Sequence, residues 1–122
     1  MFYNTASDVF PDSWNILQTK EQLDEIIHKS FKTMQVIFKH SVTCGISAMA
    51  KDRLEKDWTS DQDMDFYYLD LLSFRSISNE VADRFGVVHQ SPQIILVKDG
   101  VAIDKTSHHA IHYHWIKERI TD

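Results

Sequence analysis

Cys44 is the only cysteine of the chain, and it stands where a thiol can react. The run QVIFKHSVTCGISAMAKDRLEKDW reads as a buried strand (Gln35 to Lys39), a short turn, and a helix that opens at or just after the cysteine. At a helix N-terminus the first backbone N–H groups lack intrahelical partners and the macrodipole is positive, and both favour thiolate over thiol. The thiolate is the nucleophile in sulfur exchange, so such a place suits a reactive sulfur. Cys44-Gly45-Ile46-Ser47 has the spacing of a Cys-x-x-Cys redox motif with the second sulfur replaced by oxygen. A neutral hydroxyl is neither acidic nor soft enough to displace sulfur from a disulfide, so the partner thiol must come from outside the chain. The competing reading is a buried, inert cysteine, because free cysteines are among the most buried residue types.

Lys39 and His40 precede the turn and are candidate modulators of this thiol. An ammonium or a protonated imidazole beside Cys44 would favour the thiolate further. Strand alternation sends the two side chains to opposite faces, so at most one of them is expected to act directly. The other histidines invite a metal reading, above all His108, His109, His112 and His114. His108 and His112 fall four apart on an expected helix and could share one ligand. Zinc, however, needs three or four convergent ligands, and no cysteine pair or His-Glu-x-x-His pattern accompanies them. A solvated helix flank is the better account, and no metal is assigned. Asp61, Asp63 and Asp65 alternate, but no glycine or later bidentate glutamate completes a calcium loop.

Hydrophobic spacing supplies the elements that must carry these residues. Trp14 to Gln18 reads as a short first strand, and Thr19-Lys20-Glu21-Gln22 as a capping box. Leu23, Ile26, Ile27 and Phe31 then recur at helical spacing to about Lys32. Val36-Ile37-Phe38 suits a strand buried on both faces. Met49, Ala50, Leu54 and Trp58 form the apolar stripe of a second helix, SDQDMD (60–65) is a polar connection, and Phe66 to Leu71 is a further strand. Two strands joined by a helix make a βαβ unit, expected to be parallel. Ser78 to Phe85 forms a third helix with Val81, Ala82 and Phe85 on one side, stopped by Gly86. Ile94 to Val97 is a buried strand, Asp99-Gly100 a hairpin turn, and Val101 to Thr106 the returning strand. Ser107 is expected to cap a final helix whose stripe is Ile111, Trp115, Ile116 and Ile120. The order is β-α-β-α-β-α-β-β-α, an α/β fold in one domain over residues 1–122, with an irregular segment over 1–13.

At 122 residues one domain can build a core without disulfides or structural metal. A net charge of −5 lacks the basic footprint of a nucleic-acid binder. No apolar run is long enough for a membrane span, and MFYNTASDVFPDSW lacks the basic and apolar regions of a signal peptide. A free thiol without an export signal points to the reducing cytoplasm.

The element order, with a cysteine after a core strand and a proline before the last hairpin, resembles the thioredoxin fold, a central mixed β-sheet flanked by helices. RSISNEVADRFGVVHQSPQIILVKDGVAI has the layout of the segment in which a short helix leads to a cis-proline, a strand and a Gly-turn hairpin. FKHSVTCGISAMA, the later SPQIILVKDG and the tail SHHAI resemble the monothiol bacilliredoxins, the YtxJ-like proteins of the bacillithiol system. The resemblance extends over nearly the whole chain.

What the resemblance implies is a thiol-disulfide oxidoreductase. Cys44 would be its catalytic nucleophile, with Thr43, Gly45, Ser47, Ser91 and Pro92 in support. Ser91-Pro92 would occupy the cis-proline position, where backbone groups stay free for a client. Read without the resemblance, Pro92 is a proline tolerated as the first residue of a strand. Ser47 would be a hydrogen-bond neighbour of the thiolate one turn away. No cofactor would be bound; bacillithiol, or another low-molecular-weight thiol, would be the co-substrate. Partners would be S-thiolated client proteins and a separate resetting reductase. The alternatives are a thioredoxin-like binding or redox-sensing module without turnover, and a glutaredoxin-like carrier using another small thiol. Stable adduct formation at Cys44 without turnover would mark the first, and a comparison of small thiols would reveal the second.

Overall fold

The computed structural model describes residues 10–59 and 63–120. Five strands form one mixed sheet: β1 (Trp14–Ile16), β2 (Met34–His40), β3 (Met64–Asp70), β4 (Gln93–Lys98) and β5 (Val101–Ser107). They lie in the order β1-β3-β2-β4-β5. Strands β1, β3 and β2 are mutually parallel, β4 runs antiparallel to β2, and β5 antiparallel to β4. The helices are α1 (Lys20–Lys29), α2 (Gly45–Asp57), α3 (Arg75–Phe85) and α4 (Tyr113–Ile120), with a 3-10 turn at His108–Ala110. This is the expected element order, and β2-α2-β3 is the expected parallel unit.

Every residue of β2 is buried, as its continuous apolar run requires of a central strand. Its alternate side chains feed two cores. Val36 and Phe38 join Ala50 and Leu54 of α2 and Tyr113 and Ile116 of α4 on one face. Ile37 joins Leu23 and Ile26 of α1 and Ile77 and Val81 of α3 on the other. Aromatic rings fill the first face near β1: Trp14 stacks on Phe66 with centroids 4.5 Å apart, and Trp58 meets both edge-on. Phe10 packs on Tyr68 at 4.9 Å. Of the irregular N-terminal segment expected over 1–13, residues 1–9 lie outside the described residues, and residues 10–13 form no strand or helix.

Local signals account for most boundaries. The Thr19 side chain accepts from Gln22 N–H while the Gln22 side chain accepts from Thr19 N–H, the reciprocal capping box. Gly86 ends α3 in the left-handed conformation at φ 63°. Asp99 (φ 53°) and Gly100 (φ 84°) both turn left-handed, as a two-residue hairpin demands.

Four expectations are corrected. Phe31 is 60% exposed rather than part of the α1 stripe. The helix ends at Lys29 because Ser30, its C-cap, turns its carbonyl and hydroxyl to the N–H groups of Asp99 and Gly100. The Phe31 ring then lies over Gly100, where an added Cβ would meet it at 3.0 Å. Met49 is likewise exposed, and Ser47 and Lys51 fill its expected place on the buried side of α2. The polar connection is shorter than 60–65, since Met64 and Asp65 already belong to β3; residues 60–62, and with them Asp61, lie outside the described residues. Finally, the last helix does not start at Ser107. His108 adopts φ 56°, the chain makes a 3-10 turn, and α4 begins at Tyr113 with the His112 Nδ1 accepting from Trp115 N–H at 3.3 Å. His108 and His112 are therefore not one turn apart on a helix, and the shared-ligand geometry is lost.

Candidate active site

The end of β2, a three-residue turn and the start of α2 build the nucleophile. Cys44 is the N-cap of α2, with extended backbone (φ −104°, ψ 122°), and its carbonyl accepts the Ala48 N–H at 3.0 Å. The thiol is free and partly exposed. It makes no side-chain cap hydrogen bond, and no acidic residue occupies the first turn. The positive end of α2 is thus left to the sulfur and whatever approaches it. Gly45 opens the helix, and a Cβ added there would meet nothing within 4 Å. Packing does not demand glycine here. Thr43 is exposed, with Oγ1 3.4 Å from Ser41 Oγ.

Ser47 is fully buried, and its hydroxyl has partners other than the sulfur. Ser47 Oγ accepts from Ser41 N–H at 3.0 Å and lies 2.7 Å from His40 Nδ1. The expected hydrogen bond from Ser47 to the thiolate is absent among the described residues, which replaces direct support by an indirect one. His40 is also buried, and burial, reinforced by the Lys51 charge, lowers its pKa to about 4. At neutral pH it is an uncharged imidazole, so the expectation of a cationic His40 beside Cys44 is corrected.

Lys39 points to the opposite face, as alternation required. Its ammonium donates to Ser78 O at 3.0 Å and to His89 Nδ1 at 3.1 Å. Burial lowers its pKa to about 8. Its contacts tie β2 to α3 and to the segment leading to β4, so a direct contact with Cys44 is not among its described interactions.

The Ser91-Pro92 bond is cis. Antiparallel pairing of Lys39 with Gln93 places Ser91-Pro92 beside the end of β2, where the Cys44 turn begins. Pro92 O accepts from His108 N–H at 3.2 Å, while the buried Ser91 hydroxyl has no hydrogen-bond partner among the described residues. Sequence reasoning missed what holds this arrangement together. Arg53, on α2 nine residues after Cys44, donates to Ile111 O and to His108 O, each at 2.9 Å. One guanidinium fork therefore fastens the nucleophile's helix to the turn whose His108 N–H bonds the cis-proline carbonyl. The pairing of an α2 arginine with a segment over fifty residues away leaves no local signal in the sequence.

A cysteine at the head of the helix that follows the central strand, with a cis-proline leading into the neighbouring strand of a β1-β3-β2-β4-β5 sheet, defines a thioredoxin-fold thiol oxidoreductase. Solved structures agree on the fold. A protein assigned as an oxidoreductase with a thioredoxin fold is 28% identical, with a TM-score of 0.75 over 90% of this chain and 95% of that one. Thioredoxin from Malassezia sympodialis is 21% identical, with a TM-score of 0.69 over 93% and 92% of the two chains. Mitochondrial thioredoxin 3 from Saccharomyces cerevisiae is 22% identical, with a TM-score of 0.67 over 90% and 95%. Residues 15–116 match the family model of the monothiol bacilliredoxin BrxC. The chain belongs to the monothiol bacilliredoxin family.

Proposed function

We propose that this protein removes bacillithiol from S-thiolated cytoplasmic proteins by monothiol exchange at Cys44. The observation that carries the reading is the single free, partly exposed thiol at the N-cap of α2, with a hydrogen-bonded serine where a second sulfur would stand. The Cys44 thiolate attacks the small-thiol sulfur of the client's mixed disulfide. That bond breaks, a new disulfide joins Cys44 to the small thiol, and the client thiolate leaves and takes a proton from solvent. No residue of the chain can displace the small thiol afterwards. A second small-thiol thiolate, or a separate reductase, attacks the Cys44 disulfide and frees the protein.

The client backbone rests against Ser91, the partly exposed residue before the buried cis-Pro92. No helix among the described residues is long and apolar enough to cross a membrane. A catalytic thiol that must return to its reduced form suits a reducing cytoplasm.

The test is release of a client thiol. A model client carrying bacillithiol is incubated with reduced protein and free bacillithiol, beside the same client carrying glutathione with free glutathione. Preferential release from the bacillithiol adduct supports the reading. Equal release from both would instead make the protein a general monothiol carrier, and no release would remove the enzyme reading.

A further inference from the structure

We propose that Ser47 and His40 form a positioning pair that holds the Cys44 loop, so that position 47 carries a hydroxyl because the loop needs its hydrogen bonds. The proposal deepens the monothiol reading and rests on it for its consequence in exchange. Ser47 Oγ takes the Ser41 N–H at 3.0 Å and meets His40 Nδ1 at 2.7 Å. The Ser41 carbonyl in turn accepts the Cys44 N–H at 3.2 Å. These contacts join the last residue of β2, the backbone of the nucleophile and the first turn of α2 into one closed unit.

The chemistry of the three groups fits a hydroxyl closely. A serine oxygen can accept one N–H and donate its own proton at the same time. With the hydroxyl proton assigned to His40 Nδ1, the neutral imidazole carries its own proton on Nε2. His40, Ser41 and Ser47 are all buried, so neither the Ser41 N–H nor the imidazole nitrogen has ready solvent to replace a lost partner. The imidazole packs against two rings, with centroids 5.6 Å from Phe38 and 5.5 Å from Tyr68. Alanine at 47 removes both contacts, and a sulfur there would supply only weak ones. The hydroxyl therefore fixes where Cys44 sits without touching its sulfur.

The experiment uses the full chain, reduced, with an aromatic disulfide as probe. Cys44 thiolate attacks one sulfur of the probe, forming a mixed disulfide and releasing one coloured aromatic thiolate, so the rate reads the loop whatever the natural small thiol is. Ser47→Ala and His40→Phe are each expected to slow this step ~10- to 100-fold, as for a nucleophile displaced by a fraction of an ångström, with His40→Asn within about 3-fold of the parent. The asparagine amide restores a hydrogen-bonding atom near the Nδ1 position, whereas phenylalanine keeps only the ring packing. The double variant Ser47→Ala/His40→Phe should be no slower than Ser47→Ala, because both changes act through one hydroxyl.

Hydrogen exchange at the Ser41 amide gives a second readout: protected in the parent and in His40→Asn, unprotected in Ser47→Ala. Parent-like rates in Ser47→Ala, additive effects in the double variant, or His40→Asn as slow as His40→Phe would each overturn the proposal. If His40→Phe does not fold, Ser47→Ala and His40→Asn decide it by themselves. A parent protein that reacts with the probe but leaves a bacillithiolated client untouched would defeat the functional reading and leave the positioning pair standing.

Discussion

A buried neutral imidazole ties the stability of this chain to pH. The pKa of His40 falls from an ordinary 6.5 to about 4, chiefly through burial. Between those values the unfolded chain binds a proton that the folded chain refuses, so this penalty is absent above pH 6.5 and grows as pH falls toward 4. By pH 4.5 it amounts to about 2 to 3 kcal/mol. Urea denaturation at pH 7.5 and 4.5 should show that extra loss in the parent and not in His40→Asn; parallel losses would contradict it. Cys44→Ser should behave oppositely, abolishing exchange while changing unfolding stability by less than about 0.5 kcal/mol, because the thiol is partly exposed and makes no cap bond. The placement of Cys44 was legible in the strand-turn-helix pattern around it. The pairing of His40 with Ser47 was not, because alternation tells which face a side chain takes but not which partner waits there. Burial then removed the charge expected of His40.

Secondary-structure elements with strong local chemistry were read correctly from sequence, and those governed by distant contacts were not. The Thr19–Gln22 box and the Asp99-Gly100 turn fix their own geometry within a few residues. Ser107-His108 looked like a helix start, yet the His108 amide is drawn to Pro92 O and its carbonyl to Arg53 and to the Ile111 N–H. Those long-range bonds bend the chain and postpone α4 to Tyr113. Arg53→Ala should therefore cost about 1 to 2 kcal/mol in denaturant unfolding, since it removes two charge-assisted hydrogen bonds from partly buried carbonyls. It should also raise hydrogen exchange at the His108 amide while leaving exchange in α1 unchanged. An unaltered His108 amide would show that the turn stands without the arginine.

The molecule as a whole is a sheet whose three parallel strands finish at one end, where the Cys44 turn follows β2 and the cis-proline precedes β4. Two cores, one on each face, pack the sheet that leads to that end. Leu54 is fully buried between α2 and the sheet, and Leu54→Ala should cost about 2 to 5 kcal/mol by urea denaturation. A cost below 1 kcal/mol would mean that α2 is not anchored as described. The fold was legible because hydrophobic periodicity and turn residues agreed along nearly the whole chain. The small thiol was not, because no side chain in the sequence spells out its shape. The central claim, that Cys44 takes the small thiol from a client and keeps it, is tested most directly by intact mass spectrometry. Reduced protein is mixed with one equivalent of bacillithiolated client, and the adduct is mapped to its residue. The account predicts a bacillithiol mass on Cys44 and an equal amount of client in its reduced form. A client that stays modified, with Cys44 still free, would contradict it.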